Sequence, residues 1–352
     1  MKSSSRINEN DISIIIQGSI YNYEKDIIDA NFYDYLDTLL NVFRACEIIV
    51  STWDIPESDK KKVTTKYCDV IFIFNRDVGI LSRKVDGLQV VSNVNRMIVS
   101  SLEGLKNSTK PYAIKIRTDS YLYNKSIISL IEKIMSGFGP ENMSSVIREQ
   151  SYKVFDDFVI NCNLFARNPY SHLPFLFHPG DILFAGKKSD LLKIFDIPLA
   201  DETIFKRCES LRNTCYMRYV PEQYIWVECI KKHKGLEDFF PGNFNNSKDW
   251  LEKSERFYFN NFIPYSAKQL GFHWPKHKTV YYNKGNSSIY NIEDWCNLYT
   301  KYVLNEKPNF SFEYKKRSLV ILFMKIYFFV RTKLLRIRLV RRLAYKIFVK
   351  RG

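Results

Sequence analysis

Between Ile12 and Asp119, four short runs of β-branched and aromatic residues alternate with segments of helical period, and this leaves few folds open. The runs are Ile12–Ile16, Glu47–Val50, Val70–Phe74 and Tyr112–Arg117. They are apolar at nearly every position rather than at every second one, the pattern of strands buried on both faces. Between them, Leu36, Leu39, Leu40 and Phe43 recur at helical spacing in Asp34–Arg44. Asn93 is placed to cap a second helix that carries Val94, Met97, Ile98, Leu102 and Leu105 on one face. Strands alternating with helices predict an α/β fold with a mostly parallel sheet covered on both faces. Beyond this region the pattern loosens: helices over Ile127–Met135, Leu191–Phe195 and Tyr224–Lys232 and strands over Phe158–Phe165 and Asp181–Ala185 are predicted, while Asn243–Ser311 has no clean period.

The run Tyr112-Ala-Ile-Lys-Ile-Arg-Thr-Asp119 ends on a carboxylate where such a sheet binds ligands, in the crevice beyond the carboxyl ends of its strands. In an extended chain Lys115, Arg117 and Asp119 share one face. Two cations and an acid can receive a phosphate-bearing ligand or hold a metal ion; they equally fit an ion pair closing a buried strand. Gln17-Gly18 and Thr52-Trp53 follow two other strand ends and are candidates for a base or ribose, with Trp53 as a stacking surface. Asn95 and Arg96 lie in the polar first turn of their helix.

The net charge of +15 invites a nucleic-acid reading until it is located. From Lys315 to Gly352 there are 13 Lys or Arg and no acids, which leaves 53 − 13 = 40 bases against 38 acids elsewhere. A nearly neutral body argues against a nucleic-acid partner. Leu319–Val330 is apolar apart from Lys325 but falls short of the roughly 20 residues that a spanning helix needs. Leu339, Val340, Leu343 and Ile347 oppose Arg331, Arg338, Arg341 and Arg342 on a helical wheel. Residues 315–352 are therefore expected to lie on an anionic membrane surface. Seven scattered cysteines without a C-x-x-C pair, and a polar Met1–Asp11 without the apolar core of a signal peptide, lead to the expectation of a cytoplasmic location on the inner face of the membrane.

At Ile12–Gly18, Ser51-Thr-Trp53, Asn93-Val-Asn-Arg96, Lys115-Ile-Arg-Thr-Asp119, His178-Pro-Gly-Asp181, Phe184-Ala-Gly186 and Pro221-Glu-Gln-Tyr224, the chain resembles the WavE-type lipopolysaccharide synthesis family. The resemblance implies a GT-A-like, Rossmann-type glycosyltransferase. Residues 1–125 would form the nucleotide-sugar half, residues 126–310 the acceptor-binding and catalytic half of the same domain, and residues 311–352 the basic tail. The implied reaction moves sugar from a nucleotide-sugar to a lipid-linked or lipid A-core glycan of lipopolysaccharide, O-antigen or capsule type. GT-A enzymes usually carry Asp-x-Asp at this strand end, whereas here Arg117 replaces the first acid. Asp119 is then the candidate ligand for Mg²⁺ or Mn²⁺, with Lys115, Arg117 and Arg96 as phosphate contacts. For the base that takes the acceptor's proton, Asp181 is favoured and Glu222 is its rival, with His178 orienting either acid. Two other readings stay open. One is a non-catalytic membrane adaptor; the other is a nucleotidyltransferase, although Gln17-Gly18-Ser19 lacks the Gly-rich loop usual there.

Overall fold

The computed structural model describes residues 6–140, 143–144, 146–276, 286–337 and 340. Strands β1 (Ile12–Gln17), β2 (Glu47–Trp53), β3 (Val70–Asn75), β4 (Tyr112–Arg117), β5 (Val159–Cys162), β6 (Phe184–Lys187) and β7 (Phe262–Tyr265) form one sheet in the order β7-β5-β6-β4-β1-β2-β3. β1 pairs in parallel with β2 and β4, and β2 with β3. Only β6 runs against its neighbours. The α/β architecture expected from the alternating runs is thus observed. All six residues of β1 are buried, as its nearly continuous apolar run requires. Residues on both sides of position 125 contribute strands, so the two halves share one sheet.

Helices α1 (Ala30–Val42), α2 (Glu57–Lys66), α3 (Val94–Lys106), α4 (Ser126–Met135), α5 (Lys188–Phe195), α6 (Pro221–Lys234) and α7 (Lys248–Phe259) follow the chain. Further helices at Ile292–Tyr302 and Phe312–Arg336 come after them. Proline at the first position of α6 and left-handed Gly235 just past its end bound that helix as local chemistry dictates. Helix α3 lies so close to the sheet that a Cβ on Gly104 would sit 2.4 Å from Ile15 Cγ2. Gly104→Ala is therefore expected to destabilise the fold by about 1–3 kcal/mol, measured by chemical denaturation, despite the better helix propensity of alanine.

Three differences from the sequence reading bear on the site. Leu81–Val85 and Leu88–Ser92 form a hairpin around Asp86-Gly87, both at positive φ (50° and 81°), the turn that this dipeptide favours. The strand expected from Phe158 to Phe165 stops at Cys162, and the one expected from Asp181 begins at Phe184. Between them, residues 163–183 form no helix or strand yet are almost wholly buried. Phe165 and Phe177 adopt positive φ there (66° and 53°), a costly backbone state that tight packing must hold.

Candidate functional site

The strand order reverses at β1, with β2 on one side and β4 on the other, and this is the position where an open α/β sheet leaves a crevice. Gln17 and Arg117 end the paired strands in register. Beyond them opens a cleft of about 580 Å³ whose lining includes Gln17, Gly18, Trp53, Arg96, Arg117, Asp119 and Lys276. Gly18, at φ 125°, shapes its floor: a Cβ there would meet Thr118 Oγ1 at 2.8 Å. The Gly18 N–H donates to the Ser51 carbonyl (3.1 Å), and the Thr118 N–H to that of Gln17 (3.0 Å), tying the three strand ends together.

Arg117 grips Asp119 with two parallel hydrogen bonds, Nε to Oδ1 at 2.9 Å and Nη2 to Oδ2 at 3.1 Å. Lys276 Nζ reaches the same Oδ2 at 2.9 Å. Burial alone would raise the Asp119 carboxyl; the guanidinium and the ammonium more than reverse this and hold it well below the usual carboxylate range. The expectation of a divalent ion at Asp119 meets a donor set that does not fit. Both carboxylate oxygens are engaged by cations, and a dication within about 5 Å of the guanidinium would meet about 7 kcal/mol of repulsion at an effective dielectric of about 20. Among the described residues no three His, Cys, Asp or Glu side chains group as a metal site. Of the other acids on the cleft lining, Asp29 caps α1 and Glu24 lies in an exposed turn.

Beneath the cleft floor lies a second, buried layer of charge. Lys115 is fully buried and donates from Nζ to the Asp181 carbonyl at 2.6 Å, so it does not stand beside Asp119 in the cleft. Burial drives its ammonium down to about 8, against the pull of Asp181. Asp181 is 4% exposed and its carboxyl is raised, by burial first and by Glu222 in addition, with Lys115 opposing. Its Oδ2 accepts no hydrogen bond; Arg117 Nη1 stands 3.9 Å away. Glu222, in the first turn of α6, is also raised by burial, although its side chain keeps 22% exposure. His178 Nε2 lies 3.6 Å from Glu222, and burial together with Arg167 drives the imidazole down to about 3. A neutral ring at that distance forms neither an ion pair nor a hydrogen bond.

The cleft therefore gathers Gln17, Gly18, Trp53, Arg96, Arg117 and Asp119, whereas Lys115, His178, Asp181 and Glu222 do not line it. Arg96 is held by Asp77 through a bidentate pair and lies 6.0 Å from the Trp53 ring centroid. The Gln17 amide oxygen accepts from Ser100 (2.8 Å). Like Lys115, Asn95 and Thr52 are not the donor contacts that the sequence suggested. The Asn95 amide is consumed by the backbone of Ala200, donating to its carbonyl at 2.9 Å and accepting from its N–H at 2.8 Å, so it clamps α3 to that loop rather than facing a ligand. Thr52 is fully buried and its hydroxyl accepts from the Ile20 N–H at 3.2 Å. Lys276, Asp77 and Arg167 went unseen. Lys276 carried only a weak signal, the aromatic His273-Trp274-Pro275 just before it, and Trp274 indeed packs against Arg117 (5.7 Å).

Residues 12–328 match the WavE lipopolysaccharide synthesis family, and the chain belongs to it. No match was found among curated proteins. Among solved structures the chain is similar to a mannosyltransferase, PcManGT from Pyrobaculum calidifontis in complex with GDP-Man and Mn²⁺ (11% identity, 53% of this chain, 47% of that one, TM-score 0.31). It is also similar to S. aureus TarS 1–349 in complex with UDP-GlcNAc (12% identity, 83% and 81%, TM-score 0.33). A third is a putative glucose-1-phosphate thymidylyltransferase from Bacillus anthracis in complex with a sucrose (8% identity, 53% and 76%, TM-score 0.31). The chain spans about half the length of the mannosyltransferase.

Proposed function

We propose that the chain is a glycosyltransferase that moves a sugar from a nucleotide-sugar to a lipid-linked or lipid A-core glycan at the inner face of the cytoplasmic membrane. The observation that carries this reading is the switch-point cleft, where Arg96, Arg117 and Lys276 border the same space as Trp53: a site for an anionic, aromatic-bearing ligand in a chain of a lipopolysaccharide-synthesis family. Trp53 and Gln17 are assigned to the nucleoside, and Arg96, Arg117 and Lys276 to phosphate. Transfer breaks the bond from the sugar's anomeric carbon to the donor phosphate oxygen, which keeps both electrons and is stabilised by the cations. The acceptor hydroxyl bonds to that carbon and its proton goes to a carboxylate. Asp181 is assigned this role for its raised carboxyl and its place 3.9 Å from Arg117 Nη1; because it lies beneath the cleft floor, the proton must reach it through an intervening group. Glu222 is the alternative.

The membrane assignment is supported by the helix Phe312–Arg336. Of its residues only Thr332 is buried, and Leu319, Phe323, Ile326 and Val330 expose between 45% and 65% of their surface in one stripe (53%, 62%, 53% and 48%). No helix among the described residues is long and apolar enough to cross a membrane. Leu339, Leu343, Ile347, Arg338, Arg341 and Arg342 lie outside the described residues.

The test is hydrolysis and transfer by the full chain with UDP-, GDP-, CMP- and ADP-sugars, alongside Asp119→Ala. At least one donor should turn over, and the variant should lose about tenfold or more because its two cations lose alignment. Equal low rates in both proteins would instead favour the membrane adaptor.

A further inference from the structure

The arrangement at the end of β4 is a clamp of two cations organised around one carboxylate. Asp119 uses both oxygens to align Arg117 and Lys276, and this pairing leaves donors to spare. A guanidinium has five N–H groups and an ammonium three. After the bonds to Asp119, three N–H groups remain on Arg117 and two on Lys276, and both side chains border the cleft. Trp274 packs against the guanidinium. Arg117 also lies between Asp119 and Asp181, so its position is determined from both sides.

Resting on the donor-site reading above, we infer that Arg117 and Lys276 hold the phosphates of a nucleoside diphosphate directly, and that donor binding requires no divalent cation. Asp119 serves as the anion that aligns them. A metal at Asp119 would share the carboxylate with two cations and meet their repulsion, whereas a diphosphate brings negative charge to them and leaves their pairing intact. The same cations remain in place as the leaving group's charge develops, doing in this fold what a metal ion does elsewhere.

The experiment is calorimetric titration of the full chain with UDP, GDP, CDP and ADP, in excess EDTA and in excess Mn²⁺, with Mn²⁺ binding followed separately by electron paramagnetic resonance. At least one nucleotide should bind with Kd values within about threefold in the two buffers, and free Mn²⁺ should fall no further than the nucleotide alone explains. Lys276→Ala should weaken that nucleotide by about tenfold or more in EDTA. Because Lys276 is 55% exposed, the change leaves the core untouched. Loss of about tenfold or more in affinity on adding EDTA, with Mn²⁺ captured by the protein–nucleotide mixture, would overturn the metal-free clamp while leaving the donor site standing. Failure of every nucleotide to bind in either buffer would remove the donor site itself, and the inference with it.

Discussion

Asp181→Asn is expected to lower sugar transfer by about 10²–10⁴-fold, the range for loss of a positioned general base, while nucleotide affinity stays within about threefold. The substitution keeps volume and removes only the ability to take a proton. Its carboxyl is raised above the ordinary 3.8 by burial, with Glu222 adding to the effect, so the wild-type rate should fall as the pH drops through that raised value. The variant's residual rate should lack this acid limb. The stability effect has the opposite sign. A carboxyl whose folded pKa is raised contributes stability below its unfolded value and loses it as the pH rises through its folded value, so at neutral pH the buried carboxylate is a cost. Asp181→Asn removes that cost but also the charge that favours the buried Lys115 ammonium, so the melting temperature should change little, which separates a catalytic defect from a folding one. Glu222→Gln is the control, expected to cost less than about tenfold. Turnover retained by Asp181→Asn and lost by Glu222→Gln would move the base to the head of α6, where the side chain is more accessible.

The contrast between these two acids shows where the sequence was legible. β1, β2, β3 and β4 were readable because parallel strands buried on both faces leave nearly continuous apolar runs, and the switch-point crevice follows from their order. The hairpin at Asp86-Gly87 carried a signal as well, in the dipeptide itself. Residues 163–183 carried the His178-Pro-Gly-Asp181 motif but no usable signal of their conformation. A buried segment without helix or strand has no period to detect, and its positive-φ Phe165 and Phe177 run against what those side chains prefer. It nevertheless brings Arg167, His178 and Asp181 together under the cleft floor. Asp119 was visible as a strand-ending acid, but its partner Lys276 comes from a distant part of the chain, and only tertiary structure turns two cations and an acid into a clamp. Lys115 shows the limit of alternation: it shares a strand face with Arg117, yet the fold seals it against the Asp181 carbonyl.

Changing Leu319, Phe323, Ile326 and Val330 together to Gln is expected to reduce binding to anionic vesicles by about a thousandfold. Fully burying one such side chain contributes about 1.5–3 kcal/mol, so about 1 kcal/mol from each at partial insertion gives about 4 kcal/mol. These four form the outward stripe of the helix Phe312–Arg336. Its inward side is tied to the body: Arg317 pairs with buried Asp294, Phe328 packs against His172 (5.2 Å) and the Thr332 hydroxyl donates to the Arg212 carbonyl. For that reason truncation at Lys315 is the poorer test. It would strand the Asp294 carboxylate, 3% exposed, at a cost of about 3–5 kcal/mol. The outward substitutions touch no such contact and keep good helix formers in place. Vesicles of neutral lipid should separate the two contributions, because each basic side chain near an anionic surface adds about 1 kcal/mol that neutral lipid withdraws. Wild-type protein should therefore bind neutral vesicles weakly and in a way that the Gln changes still abolish. Sedimentation with anionic vesicles that is the same for wild type and the four-residue variant would show that the stripe faces something other than lipid.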